Sequence, residues 1–142
     1  MAANNVIARG LMVASAGIIL LLGVIHLRYT FWGTKLTPRD PALQVSMSQI
    51  SPVISRDTTM WKTWIGFNAS HGMGAVLFGL VYGYLALAHA KVLFESPFLL
   101  GVGVAMLGGL FLLAKMYWFN VPFTGIAIAL GCYLISAVLS RA

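Results

Sequence analysis

Polar and apolar residues divide this chain into long blocks. Residues 6–27, 64–88, 98–116 and 121–139 are apolar on every face, and three of the four blocks nearly lack ionisable side chains. A helix crosses the hydrocarbon of a bilayer in about 20 apolar residues, each rising ~1.5 Å. A membrane β-barrel satisfies its backbone equally well, but its strands alternate apolar and polar positions. No such alternation is present. The pattern predicts an all-α, polytopic membrane protein, a single transmembrane domain over residues 1–142 that forms a left-handed four-helix bundle with one long first loop.

That loop, residues 28–63, contrasts with the brief links at 91–97 and 117–120. It opens on an aromatic run, Tyr29-Thr30-Phe31-Trp32-Gly33, suited to the headgroup level. Thr37-Pro38-Arg39-Asp40-Pro41 reads as a turn, with Asp40 placed to open a helix at Pro41. Leu43, Val45, Met47, Ile50, Val53 and Ile54 then interleave with Gln and Ser, which predicts a short amphipathic helix in the interface or folded over the bundle. Pro52 ends or bends it. Loops of this length usually have a role, and a lid over a site near one membrane face is the functional expectation.

Composition agrees with the pattern. Of 142 residues, 60% are hydrophobic and 8% charged, whereas soluble domains are about 25% charged. The net charge of +6 is read by membrane side and not as a nucleic-acid footprint. Arg9, Lys91 and Arg141 fall on one face; Arg28, Lys35, Arg39, Arg56, Lys62 and Lys115 fall on the other. The positive-inside rule therefore places the first loop in the cytoplasm and both termini outside. The single cysteine, Cys132, excludes chemistry that needs a thiol pair within one chain. The N-terminus lacks a basic cluster, and its first apolar run exceeds a signal-peptide core, so span one is expected to be retained.

Lipid provides no hydrophobic push between helices, and small residues must allow close backbone approach instead. Span two has two such rows, Gly66/Ser70/Gly74 and Ala75/Gly79/Gly83. Span one offers Gly10, Ala14 and Gly17, span three Gly101, Ala105, Gly108 and Gly109, and span four Gly125 and Ala129. Rows on several faces imply more than one neighbour and point to a homo-oligomer.

Embedded polar residues gather toward the long-loop side. His26 ends span one; Asn68 and His71 share a face of span two, three residues apart; Lys115, Tyr117 and Asn120 lie where span three turns into span four. Ser70, Arg28 and Arg56 join them as candidate ligand-binding residues, and His71 is the candidate acid or base. Polar groups in a span are costly and therefore mark function. Two histidines without a carboxylate do not make a metal shell, and no metal is expected. Bis-histidine haem ligation needs two histidines facing each other across a bundle at one depth; the pair leaves this open, but haem is not the favoured cofactor. Proton- or cation-coupled transport needs an intramembrane carboxylate, and Asp40, Asp57 and Glu95 all fall outside the spans. What remains is a lipophilic molecule, held by cationic and neutral donors that suit an anionic head.

The string Trp64-x-Gly66-Phe67-Asn68-x-Ser70-His71-x-x-Gly74 resembles the signature of an uncharacterised family of small bacterial four-helix membrane proteins. The likeness extends through Lys115-Met116-Tyr117-Trp118-Phe119-Asn120-Val121-Pro122 and carries no activity with it. A fainter resemblance is to the membrane-associated proteins in eicosanoid and glutathione metabolism, which share the length, the four spans and the long cytoplasmic first loop. That likeness implies a trimer, a glutathione cofactor and roles for Arg56 and Asn68 in holding it. His71 stands where that family's spacing has a glutamate.

The expected function is thus an oligomeric integral membrane protein that binds a lipid-like or amphiphilic molecule at an Asn/His site. The alternatives are a glutathione-dependent membrane transferase or isomerase and a structural subunit of a membrane complex. Whether the chain is an enzyme is left open by its residues. The bilayer and further copies of the chain are the expected partners, and no nucleic acid is.

Overall fold

The computed structural model describes residues 2–141, which form helices, turns and loops without a strand. The helices are α1 (Ala2–Phe31), α2 (Pro41–Gln49), α3 (Met60–Ala88), α4 (Ala90–Glu95), α5 (Pro97–Tyr117) and α6 (Asn120–Leu139). Among them α1, α3, α5 and α6 are long and apolar enough to cross a membrane. The all-helical, four-span expectation holds.

Local chemistry sets the helix ends and extends two spans beyond their apolar cores. Arg28 donates to the Trp32 carbonyl at 2.7 Å and carries α1 to Phe31. Thr59 accepts from the Lys62 amide at 3.3 Å, so α3 starts at Met60. Asp40 caps α2 through the Ala42 amide at 2.9 Å, ahead of Pro41. That helix stops at Gln49 because Ser51, preceding Pro52, is steered away from helical backbone. The link between α3 and α5 is itself one helical turn and a half, α4, after which Ser96 caps α5 through the Leu99 amide at 3.2 Å.

The chain groups into two compact units, with boundaries inside α1 and α3. One comprises the chain up to Leu22 and from Ala75 onward; the other is Gly23–Gly74. The first has a core of Met12, Ile19, Phe78, Leu93, Leu107 and Ile126, to which Tyr82 and Tyr133 contribute their rings. Its outer side is apolar as well: Leu77, Leu87, Phe98, Leu112, Val121 and Val138 are all exposed. A surface of that kind requires lipid around it.

Hydroxyls in this unit bind across helices to backbone carbonyls. Ser15 donates to Ala129 at 2.7 Å and Ser136 to Ala8 at 2.6 Å, which sets α1 and α6 antiparallel in fixed register. Tyr82 donates to Leu99 at 2.7 Å and Tyr133 to Leu100 at 3.0 Å. The Arg9 guanidinium donates to Ala86 and Leu87, at 3.1 and 2.7 Å, where the last carbonyls of α3 would otherwise lack partners.

Only some of the glycines lie in contacts. A methyl at Gly79 would sit 2.7 Å from the Ala16 carbonyl oxygen and 2.6 Å from Leu20 Cβ, so α1 and α3 touch through their backbones there. At Gly103 an added carbon would run into the buried Tyr133 ring. Gly125 receives Leu22, at 3.0 Å from a built Cβ. Gly10, Gly17, Gly66, Gly74, Gly101, Gly108 and Gly109 would meet nothing within 4 Å.

Gly79→Ala is therefore expected to lower stability by about 1–3 kcal/mol, because the obstruction is backbone that cannot move aside. Gly101→Ala is expected to be silent. Thermal unfolding in one detergent compares the two; equal midpoints would remove Gly79 as a close contact.

Candidate functional site

Within Gly23–Gly74, the second half of α1 crosses the first half of α3 at Gly72. A methyl there would lie 2.8 Å from Leu27 Cγ and 3.3 Å from the Gly23 carbonyl oxygen. Gly72 lets the helices come this close because it carries no side chain. Beside this crossing His26 and His71 face each other, ring centroids 5.1 Å apart and planes at 75°. Each imidazole is half-buried.

Asn68 lies one turn before His71 on the same face, 8% exposed. Its amide nitrogen donates to the Trp64 carbonyl at 2.8 Å, and its side chain and backbone lie in hydrogen-bonding range of the His26 imidazole. One turn beyond His26, buried Thr30 donates back to the His26 carbonyl at 2.8 Å. The Nε2 atom of His26 is different. It is fully covered and has no hydrogen-bond partner among the described residues.

The remaining predicted residues lie elsewhere. Ser70 is exposed, its hydroxyl bonded to the Phe67 carbonyl of its own helix at 2.9 Å. Arg28 donates to Trp32 and holds its guanidinium 5.8 Å from that ring, so its charge is engaged at the end of α1. Arg56 is exposed in the loop, where its carbonyl accepts from Ser51. Lys115, Tyr117 and Asn120 belong to the other unit, at the turn from α5 to α6, and all three are exposed. Lys115 is in the last turn of α5, where a cation favours the helix dipole. The anionic head expected from residue types relied on these cations; the described partners of the His26 ring are neutral.

The loop is tied to α3. Trp64 Nε1 donates to the Leu36 carbonyl at 2.9 Å, and the Met60 amide to the Ile50 carbonyl at 2.8 Å. No residue of α2 is buried. Gly23, Gly72 and Thr30 were not among the residues singled out from sequence. Gly72 falls outside both small-residue rows of its span, and its role follows only from meeting Leu27 and the Gly23 carbonyl on another helix.

Gly72→Val is expected to force α1 and α3 apart and separate the imidazoles, whereas Gly74→Val, facing open space, leaves them in place. In a Cys132→Ser background, cysteines at positions 26 and 71 joined by a short bis-thiosulfonate linker report the distance. Linking should fall sharply with Gly72→Val alone; an unchanged yield would discard Gly72 as the spacer. No protein-family model, curated protein or solved structure matches this chain.

Proposed function

We propose that this integral membrane protein holds an amphiphilic molecule whose head rests against His26, Asn68 and His71 and whose tail lies among the apolar side chains of the spans. One observation carries the reading: His26 Nε2 is covered yet unbonded among the described residues. A buried polar atom left without a partner costs roughly 1–3 kcal/mol, and water cannot reach it in a bilayer to compensate. In the other unit Ser15, Ser136, Tyr82, Tyr133 and Arg9 each meet backbone carbonyls. A ligand oxygen supplies the bond that His26 Nε2 lacks, as donor or acceptor according to the imidazole tautomer.

Neutral donors and acceptors suit a neutral head. Arg28 is engaged with Trp32, and no carboxylate or guanidinium is among the described partners of the His26 ring. A hydroxyl or carbonyl head is therefore favoured over a carboxylate or phosphate. No described geometry favours an acid–base reaction over binding.

Oleyl alcohol and oleate share a chain and differ in head charge. Oleyl alcohol should raise the unfolding midpoint of the detergent-solubilised protein, by the equivalent of about 2.7 kcal/mol at 100 times its Kd, and oleate should do less. His26→Phe with Asn68→Leu should remove the shift. An equal effect of oleate would overturn the neutral head. No shift from either lipid would overturn the binding site itself, and a shift from glutathione alone would move the assignment to a thiol-tripeptide site.

Self-association is the second part of the proposal. It is supported by Gly101, Ala105 and Gly109, which form an exposed row on α5, with open space over both glycines. Gly101→Leu with Gly109→Leu should shift the mass in light scattering toward a monomer. An unchanged mass would assign the row to lipid.

A further inference from the structure

Between α2 and α3 the chain forms a closed, ordered loop. Its ends meet where the Met60 amide donates to the Ile50 carbonyl at 2.8 Å. Inside, the Ser55 amide donates to the Pro52 carbonyl at 3.2 Å, and Ser51 donates to the Arg56 carbonyl at 3.5 Å. Ser55 Oγ donates to the Asp57 carboxylate at 3.2 Å and accepts from the Asp57 amide at 3.1 Å. These bonds hold the loop in one shape while Arg56 and Asp57 stay exposed. At the bend between Pro52 and Ser55 stand Val53 and Ile54, at 107% and 93% exposure.

Two adjacent β-branched aliphatic side chains, held by a hydrogen-bonded turn and wholly uncovered, are a costly arrangement in water. Their position identifies what covers them. The loop closes onto Met60, the first residue of α3. The next turn carries Trp61 and Trp64, residues that settle at the headgroup level of a bilayer. Trp64 is anchored in turn to Leu36 in the same connection. The tip is therefore attached to the part of α3 that marks the membrane surface. Charge agrees: residues 32–63 carry Lys35, Arg39, Arg56 and Lys62 against Asp40 and Asp57, which favours a surface of phosphate groups.

We propose that Val53 and Ile54 are a membrane wedge. They enter the headgroup–acyl boundary of the leaflet at which α3 begins, while Arg56 beside them meets lipid phosphate. The contact holds the long connection down on the bilayer from its middle, in addition to its two helical ends. It does not depend on which way the protein is oriented, and it is independent of the ligand at His26.

A fluorophore sensitive to polarity, attached at Ile54→Cys in a Cys132→Ser background, tests this in vesicles of phosphatidylcholine and phosphatidylglycerol. The wedge predicts blue-shifted emission, quenching by phospholipid carrying a doxyl group high on its acyl chain, and protection from aqueous iodide. Full iodide quenching without doxyl quenching would put the tip in water and overturn the proposal. Protection from both quenchers that rises with the protein-to-lipid ratio would put a second copy over the tip, and would overturn it equally. Val53→Cys gives the same readings should the first labelled variant fail to reconstitute.

Discussion

Hydrogen bonding in surroundings that provide no water is the constraint on which this structure depends. Each helix satisfies its own backbone, and the side chains that remain polar have few partners to choose from. In the unit built from the two ends of the chain they choose backbone carbonyls. Ser15, Ser136, Tyr82 and Tyr133 each cross to another helix, and Arg9 covers the last carbonyls of α3. These bonds are individually worth about 0.6–2 kcal/mol. Together they set register, since a slide of one turn would break them all.

Measured against that rule, His26 stands out. Its neighbours follow the same economy: Thr30 returns to the His26 carbonyl and the Asn68 amide to the Trp64 carbonyl. Within-helix bonds of this kind would suffice to explain Asn68 or Thr30 as structural residues. They leave the His26 Nε2 atom out. One imidazole, and not the whole set of polar residues in the spans, is left short of a partner among the described residues.

Close approach between helices is the second organising feature, and it shows how little a small residue says by itself. Gly79 and Gly72 meet α1 through backbone or near-backbone atoms, while Gly66 and Gly74 on the same helix face open space. On α5 the contact is at Gly103, beneath Tyr133, and not at Gly101 or Gly109. A glycine permits contact; the partner opposite decides whether it occurs. Gly72 meets Leu27 and the Gly23 carbonyl, and Gly103 meets a tyrosine on α6.

The order of residues alone determined the class of the molecule, because the length and apolarity of a span are local properties that the bilayer reads directly. It also determined α2, through Asp40 and Pro41 at its start and Pro52 beyond its end, since capping and proline restrictions act over a few residues. The sharing of a face by Asn68 and His71 was equally local. Tertiary structure decided which glycines touch, which hydroxyls cross to another helix, and that His26 faces His71. Those outcomes depend on pairs far apart in the chain, and no local spacing encodes the rotation of one helix against another.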